Sequence, residues 1–366
     1  MKIAYVLHGN YNFISRTKRQ VSALKSDEHS VDIYNGYFND KIEYFDEFLS
    51  IKSFKIKETN NPLANFLNLI FFNFVIAKEL LKLEYDVIIC RELSTLLSGY
   101  LYKKNKKNSR LVYDSNELSI ETHRGIKKII WRIIERFLIN KTNLIIHAEK
   151  NRMTYFSNLY KNAVKNKKQI VVENLVEFNF RVNKKFEQIK ILYFGVIAPE
   201  RNIEEIIEVF KDLKNYKIDL IGFGSTKYIE YLKSTIYKND INNVSILEPI
   251  SDSLIYDKLL DYKIGIAFYP NTSLNNWYCA PNKVFQYLQC NMAILTTNNP
   301  GLVDLIKKYK FGYYIDEITT QKIKQAINFI VENQLWNNIT NEIKYELSWD
   351  KHKNLFLNAI KDLSIS

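Results

Sequence analysis

Two side chains able to bind a phosphorylated ligand, Lys283 and Gln286, lie three residues apart in the stretch 280–306. This stretch is typical of a turn, a helix start, a buried strand and a second turn into another helix. A lysine on the first helical turn is unfavourable against the positive end of the helix dipole, and a bound diphosphate would compensate it. Gln286 lies on the same helix face, where its amide can hydrogen-bond a hydroxyl group of the same ligand. The pair predicts a site for a ligand with a diphosphate, and an exposed lysine at a helix start is the alternative.

Acidic residues and glycines follow other predicted strands. Asp114 ends the run RLVYD and Glu117 follows it, at a strand end where a carboxylate can act as a general base or orient an acceptor hydroxyl. Asp114 can equally cap the next helix. Gly9 ends the first strand and allows close backbone approach, although a plain turn is an equal alternative. Gly222 and Gly224 form only a fragment of a phosphate-binding loop and are weak evidence alone.

The sequence offers no recognisable metal or dinucleotide motif. It contains no Asp-x-Asp triplet, and the segment HGNYNFIS after the first strand lacks the spacing of a dinucleotide-binding loop. The five histidines and three cysteines are scattered without ligand spacing, which disfavours a zinc site or a disulfide framework. We therefore expect no cofactor and no metal. A diphosphate leaving group would then be neutralised by basic side chains, backbone N–H groups and helix N-termini.

Strand-like runs alternate with helical patterns along all 366 residues. This alternation predicts an α/β protein with parallel sheets. The first half contains KIAYVL, SVDIY, YDVIIC, RLVYD, NLIIH and QIVV, and the second contains IKILYFG, KIDLIG, NVSILE, KIGIAF, MAILTT and FGYYI. The similar spacing predicts two Rossmann-like domains that meet near the polar stretch 173–190. Ligands of such sheets lie beyond the carboxyl ends of the strands, so we expect a cleft between the domains.

The excess of positive over negative charge is confined to the first half of the chain. Residues 1–200 contain 33 Lys and Arg against 21 Asp and Glu, whereas residues 201–366 contain 19 of each. A basic half can face nucleic acid, an anionic membrane or a phosphorylated substrate. No nucleic-acid-binding motif accompanies the charge, so nucleic acid is not expected as a partner. A solvated lysine-rich surface remains the alternative.

Two apolar segments bear on a membrane. Residues 62–81 are interrupted by three asparagines and fall short of a full span of about 20 apolar residues, so a buried or interfacial helix is expected. Residues 125–141 place Lys128, Arg132 and Arg136 on one helix face beside Trp131. Such a helix can rest on anionic lipid, and an ordinary packing helix with a solvated face is the alternative. The N-terminal run MKIAYVLHG lacks the pattern of a signal peptide, and we expect a cytoplasmic protein.

Several longer motifs resemble a known enzyme family. The segments YFGVIAPERNIEEIIEVFKDL, DLIGFGS, YKIGIAFYP and APNKVFQYLQCNMAILTTNNPGLVDLI occur in the order found in nucleotide-sugar glycosyltransferases of the GT-B fold. They most resemble glycosyltransferase family 4 and its relatives. VYDSNEL, VVENLVEF and the tail ELSWDKHKNLFLNAI are similar to further segments of that family. The resemblance implies an acceptor-binding domain over residues 1–180, a nucleotide-sugar-binding domain over 181–345, and a terminal helix over 346–366 that crosses back to the first domain.

The resemblance also assigns roles to single positions. It places Asp114, Asn116 and Glu117 in the catalytic stretch, with Asn116 where the family has a histidine. Arg201 matches a phosphate ligand. The full donor-binding set is Gly9, Gly195, Arg201, Gly222, Gly224, Tyr278, Asn282, Lys283 and Gln286.

Three departures from the family pattern concern the donor site. Tyr278 and Gln286 occupy the positions of two glutamates that contact the donor sugar and the ribose, and Val196 replaces an arginine. The Lys-x-x-Gln-Tyr arrangement resembles a GT-B branch that includes the xanthan-assembly glucuronosyltransferase, in which Lys and Gln contact the nucleotide. That branch inverts the anomeric configuration and family 4 retains it, so both outcomes stay open.

Together these observations predict a metal-independent glycosyltransferase whose expected location is the cytoplasm or the inner face of the plasma membrane. It would move a sugar from a nucleoside diphosphate to a surface-glycan acceptor, such as a capsule, O-antigen or lipid-linked oligosaccharide. A nucleotide-sugar epimerase of the same fold is one alternative. A catalytically silent relative acting as a binding or scaffolding subunit is the other, because the two glutamates are absent.

Overall fold

A computed structural model describes residues 1–38, 50–181, 188–250 and 254–364. The chain forms two compact units. The N-terminal unit comprises Met1–Glu173 and His352–Ser366, and the C-terminal unit comprises Asn174–Lys351. Residues 182–187 of the predicted connecting stretch lie outside the described residues.

The N-terminal unit contains a seven-stranded sheet in the order β3-β2-β1-β4-β5-β6-β7. Every neighbouring pair in this sheet is parallel. Its elements are β1 Lys2–Leu7, α1 Ser15–Ser26, β2 Ser30–Tyr37, β3 Ser50–Lys55, α2 Pro62–Leu80, β4 Val87–Arg91, α3 Leu93–Asn105, β5 Arg110–Ser115, α4 Gly125–Ile139, β6 Leu144–His147, α5 Lys150–Leu159, α6 Lys161–Val164 and β7 Lys168–Val171.

The C-terminal unit contains a six-stranded parallel sheet in the order β10-β9-β8-β11-β12-β13. Its elements are β8 Lys190–Phe194, α7 Ile203–Val209, β9 Lys217–Ile221, α8 Thr226–Lys238, β10 Val244–Leu247, α9 Ile255–Leu259, β11 Ile264–Ala267, α10 Leu274–Trp277, α11 Asn282–Gln289, β12 Ala293–Thr297, α12 Pro300–Tyr309, β13 Gly312–Ile315, α13 Thr320–Glu332 and α14 Asn341–Glu346. The last helix, α15 Trp349–Lys361, begins in this unit, and its residues from His352 onward belong to the N-terminal unit. The two parallel α/β sheets confirm the predicted fold class.

Helices pack against the apolar faces of each sheet. Such cover is expected for parallel strands, whose sequences are nearly continuous apolar runs. In the C-terminal unit, Ile191, Ile218 and Leu220 pack in one cluster with Ile206 of α7 and Ile327 of α13. In the N-terminal unit a separate cluster joins the central strands to α2, α3 and α4. The end of the chain belongs to this unit, where Arg110 Nε donates to the Leu363 carbonyl.

The strand order of each sheet indicates where a ligand-binding site is expected. In both sheets the first strand of the unit, β1 or β8, lies inside the sheet and has neighbours on both sides. The strand order reverses at this point, and in open α/β sheets ligands bind beside the carboxyl ends of the strands there. The loops that follow β1, β4, β8, β9 and β11 are therefore the places to look for a site.

Candidate functional site

Lys283 lies at the second residue of α11 and reaches back to the carboxyl end of β8. Its Nζ is 3.5 Å from the Phe194 carbonyl oxygen. The ammonium also lies over two aromatic rings, 4.9 Å from the centroid of Tyr193 and 5.3 Å from that of Tyr269. Cation–π contacts of this kind hold the charge in place but leave it without a counter-ion. Helix α11 therefore holds the Lys283 amine at the carboxyl end of β8.

Three glycines shape the backbone around this charge. Gly195 has φ +138°, and a Cβ there would meet only the Lys283 Nζ, at 3.6 Å. A Cβ on Gly222 would lie 1.7 Å from the Gly195 carbonyl oxygen, and one on Gly224 would lie 2.2 Å from the Ile197 carbonyl oxygen. The loops after β8 and β9 thus pack backbone against backbone, and the Gly195 N–H donates to the Ile221 carbonyl at 2.9 Å. Glycine is required for this approach and leaves the space beside the ammonium free of side chains.

The charge of Lys283 is destabilised in the unliganded protein. Burial and, to a smaller extent, the positive charge of Arg201 together lower the pKa of Lys283 to about 7. Arg201 ends the short 3-10 turn Pro199–Arg201 that precedes α7. Within the described ranges neither side chain is paired with an acidic residue. Two neighbouring cations without a counter-charge are stabilised by a bound anion.

The other predicted donor-site residues lie around α11. Asn282 is its first residue, and its buried Oδ1 has no hydrogen-bond partner among the described residues. Gln286 is half-buried one turn after Lys283, on the same face. Tyr278 is half-buried at the end of α10, where its N–H donates to the Leu274 carbonyl at 2.9 Å. The structure brings Asn282, Lys283 and Gln286 onto one helix and places Tyr278 in the segment just before it.

Two asparagines that sequence reasoning did not assign hold these segments. Asn299 is buried, and its Nδ2 donates to the carbonyls of Tyr269 and Asn276 at 3.1 and 2.8 Å. Asn174, in VVENLVEF, donates to the Ala280 carbonyl at 2.7 Å, directly before α11. Each asparagine follows the end of a strand, and this position in the sequence was the signal that could have identified it. They fix the loop that carries Tyr278 and the turn that starts α11.

Asp114, predicted as a catalytic residue, lies inside the N-terminal unit. Its side chain is 0% exposed and forms an ion pair with Arg16 at 3.0 Å. The Tyr5 hydroxyl donates to it at 3.0 Å. Burial raises the pKa of Asp114, but the charge and hydrogen bond of Arg16 outweigh that effect and the pKa is lowered. A buried, paired carboxylate with a low pKa is a poor proton acceptor, so we do not carry Asp114 forward as a base.

The neighbouring predicted residues are more accessible. Glu117 is exposed, and its N–H donates to Glu92 Oε1 at 3.1 Å. Asn116 has a buried Oδ1 without a partner among the described residues, and its carbonyl accepts from Arg152. Gly9 has φ +155°, and a Cβ there would meet only Ile14 Cδ1, at 3.7 Å. Gly9 therefore leaves open space at the end of β1.

Glu92, which sequence reasoning missed, lies at the start of α3. It has the left-handed backbone φ of +66°, which is uncommon for a residue with a side chain. Its two carboxylate oxygens accept from the Glu117 N–H and the Ser119 hydroxyl, each at 3.1 Å. Burial raises the pKa of Glu92 to about 7, although Arg91 acts in the opposite direction. A strained backbone and a pKa near neutrality together are typical of functional residues.

Glu92 lines a cavity of about 570 Å³ in the N-terminal unit. Glu117, Arg91 and His8 also line it, together with Phe66 and Leu69 of α2 and Lys127 and Trp131 of α4. Two nitrogen atoms of the lining, His8 Nε2 and Arg91 Nε, are buried and have no hydrogen-bond partner among the described residues. Burial lowers the pKa of His8 to about 4, so this ring is neutral at pH 7. The cavity thus combines unsatisfied polar atoms with one carboxylate that titrates near neutrality.

No group of three or more His, Cys, Asp or Glu that could hold a metal ion is found among the residues the structure describes. The metal-free mechanism stays a prediction, because a metal can also enter with the diphosphate of a substrate.

Comparison with known proteins identifies the class. Residues 176–346 match the sequence family described as "Glycosyl transferases group 1". No curated protein sequence matches the chain.

Solved structures match over nearly the whole chain. Sucrose-phosphate synthase from Thermosynechococcus elongatus is 12% identical, with 99% of each chain covered and a TM-score of 0.73. An Escherichia coli structure described as trehalose-6-phosphate bound with UDP-2-fluoro glucose is 11% identical, with 100% of this chain and 99% of that chain covered and a TM-score of 0.72. Anabaena Alr3699/HepE, in complex with UDP and glucose, is 13% identical, with 99% of each chain covered and a TM-score of 0.68.

At these identities the structures establish the fold, and the family match covers the C-terminal unit that carries Lys283 and Arg201. The resemblance to family 4 in particular and the Lys-x-x-Gln detail stay predictions. The protein is a glycosyltransferase enzyme with the GT-B fold, and its residues 176–346 match the family of glycosyl transferases group 1.

Proposed function

We propose that the protein transfers a sugar from a nucleoside diphosphate to a hydroxyl group of a surface-glycan acceptor. The observation that carries this proposal is the uncompensated charge of Lys283 beside Gly195. The ammonium lies beside Gly195 at the end of β8, and the charged side chain that affects its pKa most is a second cation, Arg201. A diphosphate is the donor group whose charge matches both side chains.

The donor site follows from α11. The Lys283 ammonium and the Arg201 guanidinium bind the diphosphate oxygens, and the Gln286 amide binds a ribose hydroxyl. The free Oδ1 of Asn282 accepts a hydrogen bond from the donor. Alr3699/HepE is described in complex with UDP and glucose, which makes UDP the first nucleotide to test.

The acceptor site is proposed in the cavity of the N-terminal unit. An acceptor hydroxyl attacks the anomeric carbon of the donor sugar, and a glycosidic bond forms as the bond to the diphosphate breaks. The diphosphate leaves with the bonding electron pair, and Lys283 and Arg201 stabilise its growing charge. The hydroxyl proton passes to the Glu92 carboxylate, whose pKa near 7 suits a general base at neutral pH. No metal is needed for these steps.

A thermal-shift screen tests the donor site. UDP-, GDP-, ADP- and CMP-sugars should be compared, because a ligand at about 100 times its dissociation constant stabilises the folded state by roughly 2.7 kcal/mol. We expect one nucleotide class to raise the melting temperature of the wild type and not of Lys283→Ala. The same donor should then release its diphosphate only when an acceptor is added. Failure of every nucleotide sugar to stabilise the protein would contradict the proposed site.

A further inference from the structure

Helix α2 exposes apolar side chains where a helix of a soluble protein exposes polar ones. Leu63, Leu67, Phe71 and Phe74 are each between 54% and 70% exposed. Their spacing of four, four and three residues puts them in one stripe along the helix. Asn73 of α2 points away from this stripe: its Nδ2 donates to the Ser94 carbonyl at 2.7 Å, and its Oδ1 accepts from the Ser98 N–H.

Helix α4 has a second exposed apolar stripe. Ile126, Ile129, Ile130, Ile133 and Phe137 are each between 47% and 77% exposed, and their spacing again defines a single face. The opposite face carries the buried Glu135, Leu138 and Ile139.

Basic residues border the α4 stripe. Lys127, Arg132 and Arg136 are exposed beside it. Lys128, predicted to act with Arg132 and Arg136, is instead paired with Glu121 at 2.5 Å and contributes no free charge. An apolar face bordered by exposed cations is the pattern of a helix lying in a membrane interface.

The two helices are neighbours in the N-terminal unit. Phe66 of α2 and Trp131 of α4 form an edge-to-face pair with ring centroids 5.5 Å apart. Both helices also contact α3, and the rings of Tyr100 in α3 and Phe137 in α4 are 5.4 Å apart. Nine large exposed apolar side chains on two neighbouring helices exceed the scattered single residues of an ordinary surface.

The same structure argues against a membrane-spanning role for α2. Its 19 residues are long and apolar enough to cross a bilayer. However, Phe72, Ile76 and Leu80 are buried in the core cluster of the N-terminal unit. Spanning would remove these side chains from the core and expose the contacts of Asn73 to lipid. The helix can therefore lie on a membrane without leaving the fold.

We propose that the exposed faces of α2 and α4 dock the N-terminal unit onto an anionic lipid bilayer. The apolar stripes enter the boundary between head groups and acyl chains, and Lys127, Arg132 and Arg136 contact anionic head groups. A second copy of the chain is a poorer occupant, because a symmetric pairing through α4 would bring like charges together. The proposal is independent of the donor site and extends the proposed function by placing the enzyme at a membrane.

Vesicle flotation tests this docking on the full chain. The wild type should float with vesicles of phosphatidylcholine and 30% phosphatidylglycerol, and bind pure phosphatidylcholine at least tenfold more weakly. Each exposed cation contributes about fivefold to binding at an anionic surface, so Arg132→Gln/Arg136→Gln should weaken it roughly 30-fold. Leu67→Ser/Phe71→Ser should weaken it at least tenfold through the lost apolar contact.

Matched controls separate docking from general effects. Lys104→Gln/Lys107→Gln removes two exposed cations of the same unit that lie outside α2 and α4 in the sequence and should bind like the wild type. The docking variants change exposed side chains only, so their melting temperatures should equal that of the wild type, and a diphosphate should still bind them. Absence of wild-type binding to anionic vesicles would overturn the proposal. So would wild-type binding by both docking variants, or a stable dimer in solution that replaces vesicle binding.

Discussion

Nucleotide binding should be coupled to proton uptake at Lys283. The pKa of this ammonium is lowered to about 7, first by burial and then by Arg201. A bound diphosphate brings negative charge to the ammonium and raises its pKa toward the ordinary range of lysine. Since the liganded protein then holds a proton that the free protein has partly lost, binding must weaken as the pH rises above 7.

The size of this effect follows from the pKa. Below pH 7 the ammonium is already charged and contributes no pH dependence. Above pH 7 the apparent affinity falls about tenfold per unit, or roughly 1.4 kcal/mol, until the pKa of the complex is reached. Between pH 7 and pH 9 the loss is roughly 50-fold, or about 2.3 kcal/mol. The second ionisation of a terminal phosphate, near pH 6, lies below this window.

Titration calorimetry measures the coupling directly. At pH 8, binding of UDP or whichever nucleoside diphosphate stabilises the protein should take up roughly 0.9 proton, seen as a dependence of the heat on the ionisation enthalpy of the buffer. Lys283→Gln should bind more weakly and lose both the uptake and the pH dependence. Lys308→Gln, which removes an exposed lysine of the same unit, should keep both. Tight binding by the wild type without proton uptake, and with equal affinity at pH 7 and pH 9, would refute a diphosphate on Lys283.

Three further outcomes are expected. Arg201→Ala should weaken nucleoside diphosphate binding by about 1.5–3 kcal/mol and Gln286→Ala by roughly 0.5–1.5 kcal/mol, because only the first removes a charged hydrogen bond; equal losses in calorimetry would argue against these roles. Glu92→Gln should reduce turnover about 10²- to 10⁴-fold at pH 7–8 without changing nucleotide affinity, and the wild-type rate at saturating donor should rise with pH through about 7 as Glu92 loses its proton; a fully active Glu92→Gln would exclude it as the base. Turnover should persist in excess EDTA, and a complete loss that magnesium restores would contradict the metal-free mechanism.

The two parallel sheets were predictable because their strands are continuous apolar runs, which are typical of strands buried on both faces. Strand β3, Ser50–Lys55, was missed. Its sequence SIKSFK contains only two apolar residues, three positions apart, and forms a half-buried edge strand, so it lacks that signal.

The candidate site was predictable where the chemistry is local to one segment. Lys283 and Gln286 share one helix turn, so their spacing alone places them together. Asp114 was different, because its partner Arg16 lies 98 residues away in the sequence and only the folded chain shows the ion pair. Glu92 was missed for the same reason, since its raised pKa depends on burial, which sequence position does not reveal.

The surface helices mark another limit of sequence reasoning. The pattern of α2 was interpreted as a buried or interfacial helix, and periodicity identifies its two faces. It does not show which face meets the core. Asn73 turns inward because Ser94 and Ser98 of α3 supply its hydrogen-bond partners, and Leu67 and Phe71 on another face of the helix stay exposed.

The central role assigned to Lys283 is to hold the leaving diphosphate of a nucleotide-sugar donor during transfer. Its test is the rate of sugar transfer from the donor that best stabilises the protein to an acceptor extract, measured by nucleoside diphosphate release for the wild type and Lys283→Ala. We predict acceptor-dependent release by the wild type and a loss of at least roughly tenfold in the variant, whose melting temperature should stay unchanged, because the charge on the leaving group grows in the transition state. Equal rates for the two folded proteins would contradict the account.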